Sequence, residues 1–197
     1  MRNSDVARGY GALVYLLGAP VACGRGHLLY PRRHIHRDGN DVTQEQTIAS
    51  HIQMHGWHCL HVAASSDDED PFSCSIGFWA TFGAPEVLVF GLPEAHAHAV
   101  LMACHQRLQN GGTLQSGVKD DSILTGGYPV VFKPLRADQY DEYLGTAMRH
   151  YDDQPFPALV MFLPDREYRF AWDAGYEGPA AREAVRIVES VDPHGAD

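Results

Sequence analysis

The chain has 197 residues and carries 15 basic against 25 acidic side chains, for a formal charge of −10. The apolar fraction of 45% excludes a wholly disordered chain, and the length suits one domain with or without an appendage. An acidic balance argues against nucleic-acid binding, which needs a basic surface. The sequence has no run of about 18 apolar residues, so we expect no membrane-spanning helix and no membrane partner.

The charge is distributed unevenly along the chain. Residues 1–46 hold six arginines and four acids, a net +2, whereas the remainder holds nine basic and 21 acidic residues, a net −12. Residues 30–40 follow neither the helical nor the strand periodicity. We therefore predict a loop-like or weakly ordered N-terminal extension over residues 1–42, a single domain over 43–190 and a frayed tail over 191–197.

The cysteines are scattered rather than paired. They are Cys23, Cys59, Cys74 and Cys104, and no C-x-x-C pair indicates a zinc knuckle or a redox motif. Four such residues in a chain of this size predict reduced, partly buried thiols and a cytoplasmic location.

The first half of the predicted domain consists of one helix and three strands. The helix begins at Thr43, a capping residue, and ends at Gly56, and the strands cover residues 57–63, 72–79 and 87–92. Side chains along the first strand alternate between two faces, as in a half-buried strand. The third strand is apolar throughout, which places it at the centre of the sheet.

The second half contains the longest predicted helix and two further strands. Over residues 94–109, apolar side chains recur at i, i+3, i+4, i+7 and i+11 and form one continuous stripe. The other predicted elements are strands over 128–135 and 158–163, helices over 138–150 and 179–190, and an aromatic-rich turn region over 164–178. The second and third strands are too close in sequence for a helical crossover. The pattern predicts an α+β fold, with a mostly antiparallel sheet of about five strands and three to four helices packed on it.

Twelve histidines are an unusual number for this length. His51 and His55 are one turn apart on the first helix, the spacing that lets two imidazoles bind one zinc ion. The glutamate of an H-E-x-x-H motif is absent, because Ile52 follows His51. His58 and His61 point to opposite faces of their strand, so at most one of them joins the helical pair. We therefore favour the interpretation that these histidines lie on the surface and at helix ends over a metal site at His51 and His55.

Four blocks of sequence are recognisable, in order along the chain. They are GWH at 56–58, PFSCSIGF at 71–78, PEVLVFGL at 85–92 and PDREYRFAWD at 164–173. Together they resemble the bacterial family known as domain of unknown function 4262, over about residues 47–190. The resemblance implies a stand-alone soluble bacterial domain and carries no established reaction.

The chain departs from the pattern of this family at several positions. Cys74 stands where the family has tyrosine, Ser75 replaces threonine, Ala84 replaces the histidine before Pro-Glu, and Ala171 replaces a proline. Any chemistry that relatives perform with that tyrosine or histidine is then lost or altered here.

Polar residues within these blocks are the candidate site. Glu86 caps backbone N–H groups, pairs with Arg166 or Arg169, or acts as a general base whose pKa burial has raised. His58 is a candidate acid or base, with a hydrogen-bonded place at the edge of the core as the alternative. Asp165 either sets a turn or takes part in the same acid–base chemistry. The candidate ligand contacts are Trp57, Ser75, Arg166 and Trp172.

Three classes of function stay open. The favoured class is non-catalytic binding of a small molecule or a protein partner, including an accessory or immunity-type role, because no complete nucleophile–base pair or metal cluster is evident. The second is a hydrolase or transferase in which His58, Glu86 and Asp165 converge on one cleft, within about 10 Å of one another. The third is a histidine-bound metal protein. The sequence leaves the ligand, the cofactor and the oligomeric state open.

Overall fold

A computed structural model of the chain describes residues 40–189, with one six-stranded mixed sheet at its centre. The strands are β1 (His58–Val62), β2 (Phe72–Ile76), β3 (Glu86–Phe90), β4 (Lys119–Asp120), β5 (Val130–Pro134) and β6 (Ala158–Phe162). Their order across the sheet is β1-β2-β3-β6-β5-β4. Neighbouring strands are antiparallel except for β3 and β6, which run parallel. The predicted α+β class and the mostly antiparallel sheet are therefore confirmed.

Six α-helices accompany this sheet within the described residues. They are α1 (Asn40–His55), α2 (Phe78–Phe82), α3 (Glu94–Gln109), α4 (Tyr140–Tyr143), α5 (Gly145–His150) and α6 (Arg182–Ile187), with short 3-10 turns at Thr125–Gly127 and Ala137–Gln139. None of these helices is both long and apolar enough to cross a membrane.

Both faces of the sheet are covered. The apolar stripe of α3 packs on one face, with Val100, Leu101 and Cys104 fully buried against Val87 and other strand residues. Residues of α1, α4, α5 and α6 pack on the other face, around Leu88 and its neighbours on adjacent strands. The predicted helix over 94–109 and the central position of β3 are confirmed, because this strand is buried along its whole length.

Several predicted boundaries and counts are corrected. The first helix begins at Asn40, so Thr43 lies inside it rather than capping it, and residues 40–42 are helical rather than loop-like. The sheet has six strands rather than about five, because the two-residue strand β4 is not among the predicted elements. The final helix is limited to Arg182–Ile187. Residues 1–39 and the tail 191–197 lie outside the described part, so the predictions for them stay predictions.

Two helix positions show why the helix count exceeds the predicted three to four. Gly77 has a φ of 118°, which turns the chain out of β2 and directly into α2. A Cβ atom there would lie 2.8 Å from both the carbonyl oxygen of Gly56 and the Cα atom of Trp57, so only glycine fits. The predicted helix over 138–150 is divided at Leu144, whose backbone leaves the helical conformation before Gly145 begins α5.

Candidate functional site

Glu86 begins β3 and is the most completely enclosed carboxylate of the candidate set. Its side chain has no exposed surface and accepts four hydrogen bonds. The Ser75 hydroxyl donates to Oε2 at 2.5 Å, and the Tyr151 hydroxyl donates to Oε1 at 2.5 Å. The backbone N–H groups of Gly77 and Trp79 donate to Oε1, each at 3.0 Å. Burial raises the pKa of Glu86, while these four donors favour the ionised form.

The groups around Glu86 are themselves satisfied. The Ser75 hydroxyl oxygen accepts a hydrogen bond from the Val87 N–H at 2.9 Å, and the Tyr151 oxygen accepts one from the Gly77 N–H at 2.8 Å. Burial and the nearby Glu86 carboxylate raise the pKa of Tyr151 far above its ordinary value. Glu86 therefore holds the turn between β2 and α2, which is the backbone-capping role among its predicted alternatives. The predicted ion pair with Arg166 or Arg169 is wrong, because the guanidinium of Arg169 pairs with Asp165 instead.

His58 lies at the same end of the sheet, at the start of β1. Its Nδ1 atom is 2.9 Å from Nδ1 of His51, which reaches it from α1. Burial, together with the charges of His51, His98 and His150, lowers the pKa of His58 to about 4. The side chain is therefore an uncharged imidazole at neutral pH, held at the edge of the core by a neighbouring imidazole.

Trp57 is a core residue. Its side chain is buried, and its ring centroid lies 5.4 Å from that of Phe78, 5.5 Å from that of His98 and 5.6 Å from that of His105. The ring is therefore surrounded by other rings of the same molecule. Because the Trp57 ring exposes no face to solvent, it is not available for the predicted ligand contact.

Asp165 organises the turn that follows β6. Its carboxylate accepts hydrogen bonds from the N–H groups of Glu167, Arg169 and Glu177 and from the Arg169 guanidinium, at 2.8 to 3.1 Å. Burial alone would raise the pKa of Asp165, but these hydrogen bonds outweigh it and lower the pKa. The turn-setting alternative for Asp165 is thus the one that its contacts favour.

This turn places exposed aromatic rings on the surface. Tyr168 is half-exposed and adopts a φ of 63°, in the left-handed region that non-glycine residues rarely enter. Its ring stacks on that of Tyr128 with centroids 4.8 Å apart and planes inclined by only 5°. Trp172 is 42% exposed and stacks on Phe170, and the ammonium group of Lys133 lies 3.8 Å from the Trp172 ring centroid. We call Tyr128, Lys133, Arg166, Tyr168 and Trp172 the ring surface. Within it, Tyr128 packs with the part of the core under α3, whereas Trp172 stacks on Phe170, which belongs to the core on the other face of the sheet.

The three proposed acid–base residues do not share one cleft. β3 and β6 are parallel, with Glu86 paired to Ala158, whereas Asp165 follows the far end of β6. The four steps along β6 from Ala158 to Phe162 alone span about 13 Å. Only His58 and Glu86 lie at one end of the sheet, on strands separated by β2, which places their backbones about 10 Å apart. The structure therefore does not bring the three residues together as the hydrolase or transferase hypothesis requires.

The remaining candidates are dispersed. Ser75 is fully buried beneath Glu86. Arg166 is exposed on the ring surface, at the opposite end of the sheet. The ring centroids of His51 and His55, the less favoured metal candidates, are 6.3 Å apart. Among residues 40–189, no three His, Cys, Asp or Glu side chains are grouped so that they could hold a metal ion.

These features define a class: an α+β domain with one mixed sheet and a buried carboxylate holding a turn at each end. Residues 51–177 match the family described as Domain of unknown function (DUF4262), and because this match covers more than half of the chain, the protein belongs to that family. The resemblance of the four sequence blocks is thereby confirmed. No curated protein and no solved structure matches the chain.

Two residues whose contacts are important in the structure, Tyr151 and Lys133, were not identified from the sequence. Tyr151 donates to Glu86 across 65 positions of sequence, and no local pattern connects them. The composition could have drawn attention to Lys133, because Lys119 and Lys133 are the only two lysines in the chain. Both ammonium groups lie over rings of one cluster, that of Lys119 being 5.4 Å from the Phe170 centroid.

Proposed function

We propose that this domain is a non-catalytic binding protein whose partner is another protein, contacted through the ring surface. The observation that carries the proposal is the strained, exposed position of Tyr168. A non-glycine residue in the left-handed region costs about 1–2 kcal/mol, and such strain concentrates where function requires it. Here the four hydrogen bonds to Asp165 hold the turn that places the Tyr168 ring at the surface.

The composition of the ring surface favours a protein partner. Trp, Tyr and Arg are the residue types that dominate the binding energy of protein interfaces, and the exposed part of the turn presents one of each: Arg166, Tyr168 and Trp172. Close to this turn, a cavity lined by Phe90, Phe162 and Tyr176, among others, has a volume of about 10 Å³. That volume holds one water molecule, whereas sites for small molecules usually measure about 300–1,000 Å³.

The two enclosed carboxylates favour binding over catalysis. Glu86 and Asp165 each accept four hydrogen bonds from the protein, so neither offers a free oxygen atom to a substrate. An accessory or immunity-type role is one form that such binding takes. A cytoplasmic location is supported by two buried cysteines of the described part, since Cys74 and Cys104 are free thiols.

The proposal is tested by site-specific photo-crosslinking in cells of the source organism. A benzophenone amino acid replaces Arg166, an exposed residue of the ring surface, and a matched control places the same label at Met54, which is 62% exposed on α1. We expect a discrete covalent adduct with one protein from position 166 and none of that mass from position 54. Adding Trp172→Ser to the labelled chain should reduce the adduct at least tenfold, since loss of a dominant interface tryptophan costs about 2 kcal/mol or more.

Three outcomes would contradict the proposal. They are the absence of a protein adduct at position 166, the same adducts from both labelled positions, and an adduct that Trp172→Ser leaves unchanged. Thermal unfolding of each labelled chain is the control for folding. Because Trp172 is 42% exposed, Trp172→Ser should leave the chain folded.

A further inference from the structure

Two imidazoles face each other at the corner between α1 and β1. The Nδ1 atoms of His51 and His58 are 2.9 Å apart, and their rings are inclined by 37° with centroids 5.0 Å apart. We propose that His51 and His58 together bind one borderline divalent transition-metal ion, Cu²⁺ or Zn²⁺, through their two Nδ1 atoms, with water completing the coordination. This site lies outside the ring surface and does not depend on the proposed protein partner.

The separation of the two nitrogen atoms is close to that of a shared ion. Nitrogen ligands lie about 2.0–2.1 Å from zinc, so two of them in a tetrahedral arrangement are about 3.3 Å apart. The His51 and His58 Nδ1 atoms need to move apart by only about 0.4 Å to reach that separation, starting from 2.9 Å. Small rotations of the two rings are sufficient for such a movement.

The proton balance of binding is simple. A neutral imidazole carries one ring proton, so in the metal-free pair one Nδ1 atom donates to the other. When both Nδ1 atoms bind the ion, the donating ring carries its proton on Nε2 instead. Each ring then carries one proton, as it does in the metal-free pair, so binding of the ion to the neutral pair releases no proton.

The protein holds the two histidines in place before any ion arrives. Only Gly56 and Trp57 separate α1 from β1. The Gly56 N–H donates to the Ile52 carbonyl at 2.7 Å, and the Thr81 hydroxyl donates to the Gly56 carbonyl at 2.6 Å. With Trp57 buried in the core, the connection is fixed on both sides, and a fixed pair of ligands binds with a smaller loss of entropy than a mobile pair.

The ligand chemistry selects the class of ion. Imidazole nitrogen suits copper, zinc and nickel, whereas magnesium and calcium require oxygen ligands. Both side chains are only partly buried, so an ion and its water ligands can reach them. Within residues 40–189 the two imidazoles are the protein ligands of this site, since no group of three potential ligands occurs in that part of the chain. Water therefore occupies the remaining positions, and we expect micromolar rather than nanomolar affinity.

The test is a titration of the untagged full-length chain at pH 7.5, with ZnCl₂ followed by calorimetry and with CuCl₂ followed by electron paramagnetic resonance. We expect one ion per chain with a Kd below about 100 µM, and a copper spectrum with nitrogen hyperfine structure from two imidazoles. His51→Asn and His58→Asn should each raise the Kd at least tenfold. His55→Asn is the matched control, because His55 lies on the same helix, is exposed and is not a ligand in this site. It should change the Kd less than twofold.

The proposal is overturned if no one-to-one binding occurs in this range. It is also overturned if His55→Asn weakens binding as much as His51→Asn, or if both ligand variants bind like the unaltered chain. Unfolding of each variant without metal shows whether it is folded. If His58→Asn does not fold, the proposal is still tested by His51→Asn. That variant should fold, because His51 lies on a partly exposed face of its helix.

Discussion

Replacing Glu86 by alanine should destabilise the domain strongly, because it removes a fully buried carboxylate that accepts four hydrogen bonds. The Trp79 N–H then loses its acceptor, and the hydroxyl protons of Ser75 and Tyr151 lose theirs. The Gly77 N–H is partly protected, since it also donates to the Tyr151 oxygen. Each buried donor left without a partner costs about 1–3 kcal/mol, so the three together should cost about 3–5 kcal/mol after relaxation.

A loss of that size is a large share of the free energy of unfolding of an ordinary domain, which is about 5–15 kcal/mol. Glu86→Gln is the matched control, because it preserves the shape of the side chain and one acceptor oxygen. The Gln carbonyl can take the place of Oε1 and its three donors, and the Ser75 hydroxyl can rotate to accept from the Gln N–H₂ group. We expect Glu86→Gln to cost about 1–2 kcal/mol.

The assay is equilibrium unfolding in urea, followed by circular dichroism and tryptophan fluorescence, with the free energies taken at equal m-values. The reasoning is refuted if Glu86→Ala lowers the free energy of unfolding by less than about 1 kcal/mol. It is also refuted if Glu86→Gln costs as much as Glu86→Ala, since acceptor geometry would then contribute nothing.

Three further predictions concern other parts of the fold. His105→Phe should raise the free energy of unfolding more at pH 5 than at pH 7.5 in the urea assay. The buried Nδ1 of His105 has no partner among the described residues, although the ring also bonds the backbone of His55, a contact that phenylalanine loses. Because burial lowers the pKa of His105, the unaltered domain loses stability as the pH falls below about 6.5, and the phenylalanine variant avoids that loss. Leu101→Ala should lower the free energy of unfolding by about 3–5 kcal/mol in the same assay, because Leu101 lies on α3 and is fully buried against the sheet. Tyr168→Gly should change it by less than about 1 kcal/mol, because relief of the backbone strain offsets the lost stacking on Tyr128, while the photo-crosslink to the partner should disappear.

The elements that the sequence predicts well are those whose pattern and packing agree. The stripe of α3 and the apolar run of β3 each span enough residues to show a period, and the structure buries both. β4 has two residues, too few for any alternation. α2 depends on the positive φ of Gly77, which is imposed by close approach to Gly56 rather than by local propensity.

The candidate site was less predictable because its contacts are long-range. The helical spacing of His51 and His55 made them the candidate pair on α1, although a disfavoured one, and in the structure the imidazole of His51 contacts that of His58 on the following strand. The spacing rule describes neighbours on one helix and contains nothing about the strand that follows. For Glu86, the sequence indicated a buried or capping carboxylate, but its partner Tyr151 lies on a segment that only the folded sheet brings close.

The positions expected from the sequence to differ from the family pattern are mostly interior. Cys74 is 1% exposed and Ala84 is 9% exposed, whereas Ala171 is partly buried. Ser75 provides the hydroxyl that donates to Glu86. A serine at this position is therefore sufficient to hold the Glu86 carboxylate.

The two carboxylate turns consequently have separable roles. Glu86 is a fully buried carboxylate that holds together its turn, so its loss should reduce the fraction of folded protein without changing the affinity of the molecules that remain folded. Trp172 is an exposed residue of the ring surface, so its truncation should weaken partner binding and should lower the free energy of unfolding only by the lost stacking on Phe170, about 0.5–1.5 kcal/mol. Once the partner is identified, measuring affinity and stability for both variants separates these effects. A loss of affinity per folded molecule in Glu86→Gln would show that the buried turn also takes part in binding.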